Sequence, residues 1–229
     1  MLRKIRREIA KGIERSAYAI DPDRRRVKAD FHLHEFRSYE EYKRIQVHHN
    51  RCKIDRVWAD ARTLDRVAER VEAEFGTGVA EGLCHGTRNG FEQAHLRERL
   101  GTDVVGTDIS DTATTFPHTF EWDFHDVNEE WVGRFHFLYS NSLDQGWKPR
   151  AALETWLGQL RPGGLLFIEH TDAHGPGGAS EMDPFGVRPR FMPYVLADWF
   201  GHRISVEIME GTKAGKEMPV WLFVVKKLA

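Results

Sequence analysis

Apolar and polar positions change their period along this chain, and each change marks a different kind of element. Near the start, Leu2, Ile5, Ile9 and Ile13 recur at helical spacing among Arg3, Lys4, Arg6, Arg7 and Lys11, the pattern of a basic amphipathic helix. Asp21-Pro22-Asp23 breaks that pattern, and Arg24 to Arg26 read as exposed linker. Ser38 followed by Glu41 forms a capping box. It opens a helical stripe of Tyr39, Tyr42, Ile45 and Gln46 that runs on towards Trp58. Leu64, Val67, Ala68 and Val71 predict a third helix over Thr63 to Phe75, ended by Gly76-Thr77-Gly78.

From Gly78 onwards short apolar runs alternate with helical stripes. Strands are predicted over 78–83, 102–107, 119–122, 135–140 and 165–169, with helices over 89–100 and 149–160. This alternation predicts a doubly wound α/β fold with a mostly parallel sheet. The end of the chain differs. A helix over 192–200 precedes strands over 204–210 and 219–227, joined by a hairpin-like connection over 211–216. The expected architecture is a seven-stranded sheet closed by an antiparallel pair. Residues 1–75 form a helical N-terminal extension, with the basic segment over 1–28, and 76–229 form the α/β domain.

Two stretches carry candidate chemistry. The turn Gly82-Leu83-Cys84-His85-Gly86-Thr87-Arg88-Asn89-Gly90 follows a strand and opens a helix, the context in which glycines let backbone approach a ligand and free amides face it. About 20 residues on, Asp108 ends the next strand, where a carboxylate accepts both hydroxyls of a ribose. A cap for the following helix is the structural alternative for Asp108.

With these features in place, 75–228 resembles the class I S-adenosylmethionine-dependent methyltransferases. Glu81 with the glycine turn looks like the family's first motif, around the methionine part of the cofactor. Asp108-Ile109 sits where that family places its ribose-binding acid, and Trp122-Asp123-Phe124 looks like its adenine-contacting segment. Phe137 to Ser142 is similar to the fourth strand and its tip beside the methyl donor, and Leu160 to Leu166 to the turn into strand five. The resemblance implies S-adenosylmethionine as cofactor, held by Glu81, Gly82, His85, Gly86, Thr87, Arg88, Asp108, Ile109, Asp123, Phe124, Ser140 and Asn141. The chain departs from the family in its glycines, which stand four apart, in His85 and Arg88 where small residues are commoner, and in His136 where an acid is usual. Arg88 has two readings, a partner for the methionine carboxylate or for an acid of its own domain.

On the acceptor side, Asp144 and His170 lie at the carboxyl ends of strands, where open α/β sheets bind ligands, and are the candidate catalytic bases. A structural strand-end histidine is the alternative for His170. The long loop from Thr171 to Gly186 is read as a substrate cover, with Asp172, His174 and Trp147 as substrate-binding candidates. His170, Asp172 and His174 lack the spacing of a strong metal site, so no metal is expected. These features favour O-methylation of a sugar, glycan or polar small metabolite. The rivals are a nicotinamide-dependent oxidoreductase, which uses the same turn and ribose acid, and a non-catalytic binding subunit that keeps the fold.

Composition narrows the partners. Hydrophobic residues make up 41% and charged residues 30% of the 229, as in globular proteins. The net charge is −2, yet residues 1–28 carry ten Lys/Arg against four Asp/Glu, leaving −8 on the rest. A body of that charge is a poor match for nucleic acid. The basic segment suits packing on its own domain or on a dimer mate, or peripheral membrane contact. No apolar run is long enough to span a bilayer, and the two cysteines, Cys52 and Cys84, are not paired as in metal sites, so a cytoplasmic protein is expected.

Overall fold

The structure is a computed structural model that describes residues 31–78, 80–214 and 218–228. The basic segment over 1–28 lies outside the described residues. From Phe31 the chain forms one compact unit.

Strand β1 (Phe31–Leu33) leads to α1 (Tyr39–Cys52) and α2 (Ala61–Phe75). Ser38 caps α1 by accepting from the Glu41 amide at 3.3 Å, while the Glu41 carboxylate reaches the Arg37 amide at 2.8 Å. The stripe expected to run towards Trp58 stops at Cys52. Asp60 caps α2 through the Thr63 amide, and Leu64, Val67, Ala68 and Val71 are its buried face.

The main sheet is built from β2 (Gly82–His85), β3 (Val104–Asp108), β4 (Thr119–Glu121), β5 (Phe135–Ser140), β6 (Leu160–His170), β8 (Ile204–Thr212) and β9 (Pro219–Lys227). Its order is β4-β3-β2-β5-β6-β9-β8, with β9 antiparallel to both neighbours and the remaining pairs parallel. α2 and α3 (Phe91–Leu100) cover one face over a core that includes Cys84, Phe137, Tyr139 and Phe167. α4 (Pro149–Gln159) and α5 (Met192–Phe200) cover the other, where Trp156, Leu138, Ile168 and Phe223 pack. The strand order reverses between β2 and β5, and open α/β sheets bind ligands at the carboxyl ends flanking such a point.

Two elements escaped the sequence pattern. β7 (Phe185–Val187) lies inside the loop read as a cover and pairs antiparallel with β1, three residues against three. Segments this short carry too few alternations to register as strands. β2 also begins at Gly82 rather than Gly78, four residues later than expected. That shift places Glu81 and Gly82 at the amino end of the sheet, away from the carboxyl ends.

Candidate active site

The site is built where β2, β3 and β5 end. Gly86 and Thr87 donate their amides to the Thr107 carbonyl at 2.9 and 3.0 Å, folding the turn back over β3. Gly86 has φ +72°, and a Cβ there would lie 2.5 Å from Cβ of Ser142, so the turn and the tip of β5 pack backbone against side chain. Arg88 takes φ +46°, a conformation rare outside glycine, which directs its amide to Oδ2 of Asp108 at 2.9 Å.

Asp108 is 6% exposed and its other oxygen accepts from the Ser110 amide at 2.9 Å and Nδ2 of Asn50 at 2.7 Å. Burial raises its pKa, and these donors oppose the rise. Asp123 is similarly enclosed. Its Oδ1 accepts from Nδ1 and the amide of His125 at 2.6 and 2.9 Å, and its Oδ2 from the Tyr39 hydroxyl at 2.8 Å. Burial pushes this carboxyl up, but the His125 contacts outweigh it and the pKa ends below the usual range. Phe124 is buried beside them, its ring 4.7 Å from His125 and edge-on to Trp156 at 5.3 Å.

α1 closes over this trio. Its buried positions are Tyr42, Gln46 and Asn50, one turn apart, and they line a small cavity of about 30 Å³ with Asp108, Ile109 and Asp123. The same helix holds the loop after β6: Nε2 of Gln46 donates to the carbonyls of Glu181 and Met182, each at 3.2 Å. Gly86 and Arg88 continue from that cavity into a larger cleft of about 380 Å³, lined also by Trp58, Glu92, Asp144 and His174.

In the cleft, Nε2 of His174 stands 3.6 Å from Oδ2 of Asp144, and the His174 Nδ1 is buried without a partner among the described residues. Desolvation raises the Asp144 pKa, with the charge of His174 opposing and that of Asp183 adding to the rise. Glu92, in the first turn of α3, is 5% exposed. Nδ2 of Asn141 reaches its Oε1 at 3.2 Å, while its Oε2 has no partner among the described residues. Burial pushes its pKa to about 7. Behind the cleft, Lys213 and Glu169 form a buried ion pair at 2.7 Å, with the Tyr139 hydroxyl on the other Glu169 oxygen.

Several residues singled out from the sequence sit elsewhere. Glu81 faces solvent and pairs with Arg134 at 3.3 Å, lining a separate depression at the amino end of the sheet. Gly82 is there for packing, since a Cβ would fall 2.2 Å from the Phe137 ring. His85 turns into the core, bonded to Thr107 and Gln159 at 2.8 Å each and stacked on Trp156; burial lowers its pKa to about 4. Its side chain does not line the cavity or the cleft. Ser140 spends its hydroxyl on the His85 carbonyl at 3.0 Å. His170 is 1% exposed and donates Nε2–H to the Val187 carbonyl at 2.7 Å, with burial lowering its pKa to about 4. Its surroundings do not fit the base role read from the sequence; it ties β6 to β7. Trp147 stacks on Tyr42 at 5.6 Å, behind the cavity, and Asp172 is exposed outside the cleft.

By contrast, the structure brings Gly86, Thr87, Arg88, Asp108, Ile109, Asp123, Phe124, Asn141, Asp144 and His174 to the cavity or the cleft. Sequence reasoning missed Asn50, Glu92 and Trp58. Asn50 extends the Tyr42-Gln46 spacing by one further turn, a polar member of a buried stripe and the one available signal. Among the described residues no group of three or more His, Cys, Asp or Glu is arranged to hold a metal ion, and no helix is long and apolar enough to cross a membrane.

No family model matches the sequence, and neither does any curated protein. Solved structures do match. The Burkholderia thailandensis 1,6-didemethyltoxoflavin-N1-methyltransferase, bound to 1,6-didemethyltoxoflavin and S-adenosylhomocysteine, is similar with a TM-score of 0.67 at 15% identity, over 86% of this chain and 93% of that one. The plantazolicin methyltransferase BpumL, in complex with S-adenosylhomocysteine, matches with a TM-score of 0.61 at 12% identity, over 82% and 96%. The [4+2]-cyclase SpnF matches with a TM-score of 0.55 at 13% identity, over 72% and 81%. The chain has the class I methyltransferase fold.

Proposed function

We propose that this chain is an S-adenosylmethionine-dependent methyltransferase that alkylates an oxygen of a polar small molecule, a sugar or hydroxylated metabolite being the favoured class. The observation that carries the reading is the placement of two buried carboxylates, Asp108 at the end of β3 and Asp123 just beyond β4, in one cavity that continues through Gly86 and Arg88 into the cleft.

The residues present fit the cofactor. Asp108 supplies acceptors for the ribose hydroxyls, and Asp123 and Phe124 flank a position suited to adenine. Unpartnered buried atoms of Thr87, Arg88 and Glu92 stand at or beside the cleft, polar groups that a ligand would satisfy. When bound, the cofactor supplies a methyl group already activated on a sulfonium. The work left to the protein is alignment, exclusion of water and proton removal.

His174 suits the last of these. Its Nε2 stands towards Asp144, its buried Nδ1 has no partner among the described residues, and both side chains line the cleft. A hydroxyl acceptor would give up its proton to such a base as its oxygen is alkylated. The polar lining from Asn141, Ser142 and Asp183 suits an acceptor rich in hydroxyls.

The likeness to a cyclase makes a direct test necessary, since fold does not imply activity. Equilibrium binding of S-adenosylhomocysteine at micromolar affinity with no binding of NAD supports the reading; tight NAD binding alone sinks it. A mass-spectrometric methyl-transfer screen over sugars and phenols then identifies the acceptor.

A further inference from the structure

Four carboxylates lie in or directly behind the cleft: Glu92, Asp144 and the half-buried Asp183 line it, and Glu169 stands behind; two of them are paired. Glu169 pairs with Lys213 and Tyr139, and Asp144 faces His174. Glu92 differs. Asn141 fixes one of its oxygens, and the Asn141 amide is itself held by the Ser142 hydroxyl at 3.1 Å. The other oxygen is buried and unpartnered among the described residues, an arrangement that costs free energy unless a ligand completes it. Nearby, Nη1 of Arg88 donates to the Arg56 carbonyl at 3.0 Å, while its Nε is a buried donor without a partner among the described residues. The cleft thus presents, four residues apart, an arginine with one donor left over and a carboxylate with one oxygen left over.

We propose that Glu92, oriented by Asn141, holds the α-ammonium group of the cofactor's methionyl end, and that Arg88 pairs with the α-carboxylate of the same group. The assignment rests on the cofactor reading above. A zwitterionic amino-acid group matches the two side chains in charge and in hydrogen-bonding sense. An ammonium has donors only, and a carboxylate has acceptors only. The sheet order agrees: Asp123 follows β4, Asp108 ends β3, Gly86 and Arg88 follow β2 and are shared between cavity and cleft, and Glu92 lines the cleft alone. That order follows adenine, ribose and amino-acid tail along the ligand. Glu81, the acid that the glycine-turn resemblance pointed to, lies at the far end of the sheet and cannot serve.

Titration calorimetry at about pH 8 tests this with two probes: S-adenosylhomocysteine, and its deaminated counterpart in which hydrogen replaces the amino group. Glu92→Gln is expected to weaken the first by roughly 10- to 100-fold, the range for a hydrogen bond to a charged group, and the second by less than about twofold. Glu92→Asp, which keeps the charge, is expected to recover part of the loss. Should Glu92→Gln melt early, the Asp variant gives the same reading through a smaller loss confined to the aminated probe. Unchanged affinity for both probes, or an equal loss for both, overturns the assignment while the cofactor reading stands. If the unaltered chain binds neither probe, the cofactor reading itself fails and this assignment falls with it.

Discussion

His170 and His174 stand four residues apart, and their surroundings give them opposite chemistry. His170 is sealed at the end of β6 with Nε2 committed to a backbone carbonyl, so it has little capacity to take a proton. His174 borders the cleft, its Nδ1 without a partner among the described residues. Replacing His174 by Ala is expected to lower kcat by about 10²- to 10⁴-fold, the usual contribution of a positioned base, with S-adenosylhomocysteine affinity unchanged. His170→Gln is expected to keep kcat within a few-fold and to cost about 1 kcal/mol in chemical denaturation. The reverse pattern would return the base role to His170. Glu92 gives a second residue-scale prediction, in stability. Burial, reinforced by Glu169, pushes its carboxyl from the ordinary 4.5 up to about 7, outweighing Asn141, its own amide and Arg88. Between those values the folded state holds the proton more tightly. The group's stabilising contribution is therefore present at acid pH and lost as pH rises through 7. Glu92→Gln carries no such titration. Its stability relative to the unaltered chain should rise between pH 4.5 and 8, by up to about 3 kcal/mol. Urea melts at both ends of that range check it, and a constant difference would refute it.

At the scale of elements, α1 is the piece that turns a strand-tip surface into an enclosed site. Its Tyr39 and Asn50 bond the two carboxylates, Asp123 and Asp108, and its Gln46 holds the loop after β6 through two carbonyls. Removing the Gln46 amide frees that loop from one of its anchors. Gln46→Ala is expected to speed proteolytic cleavage within 171–184 by several-fold while the melting temperature moves little, because exposed loops open locally without global unfolding. Equal cleavage rates would mean that β7 and its pairing with β1 hold the loop unaided. The loop stood out in the sequence by its length and composition. Its short strand did not, because three residues cannot display a period.

For the whole molecule, the sheet's closest packing is tested at Gly82. A side chain there would enter the Phe137 ring across the β2–β5 pair. Gly82→Ala is expected to destabilise the chain by about 1–3 kcal/mol, and Gly82→Val by more, as measured by urea midpoint. If Gly82 instead served a ligand, affinity would fall with stability intact. The glycine turn read from the sequence thus contains two different needs: Gly82 serves strand packing, and Gly86 serves the site.

The sequence by itself determined the α/β alternation, the seven strands of the main sheet with their antiparallel ending, and the two acids Asp108 and Asp123. Those follow from local periodicity and from acids that fall at or just after strand ends, both readable within a few residues. Only the tertiary structure decided the rest. A four-residue shift in where β2 begins moved Glu81 to the wrong end of the sheet, and the direction of a single side chain took His85 and His170 out of the site. Asn50, Glu92 and Trp58 reach the cavity or the cleft because helix packing and chain reversal bring distant positions together around Asp108 and Asp144. Burial and orientation are set by contacts across the sheet, and no local pattern encodes them.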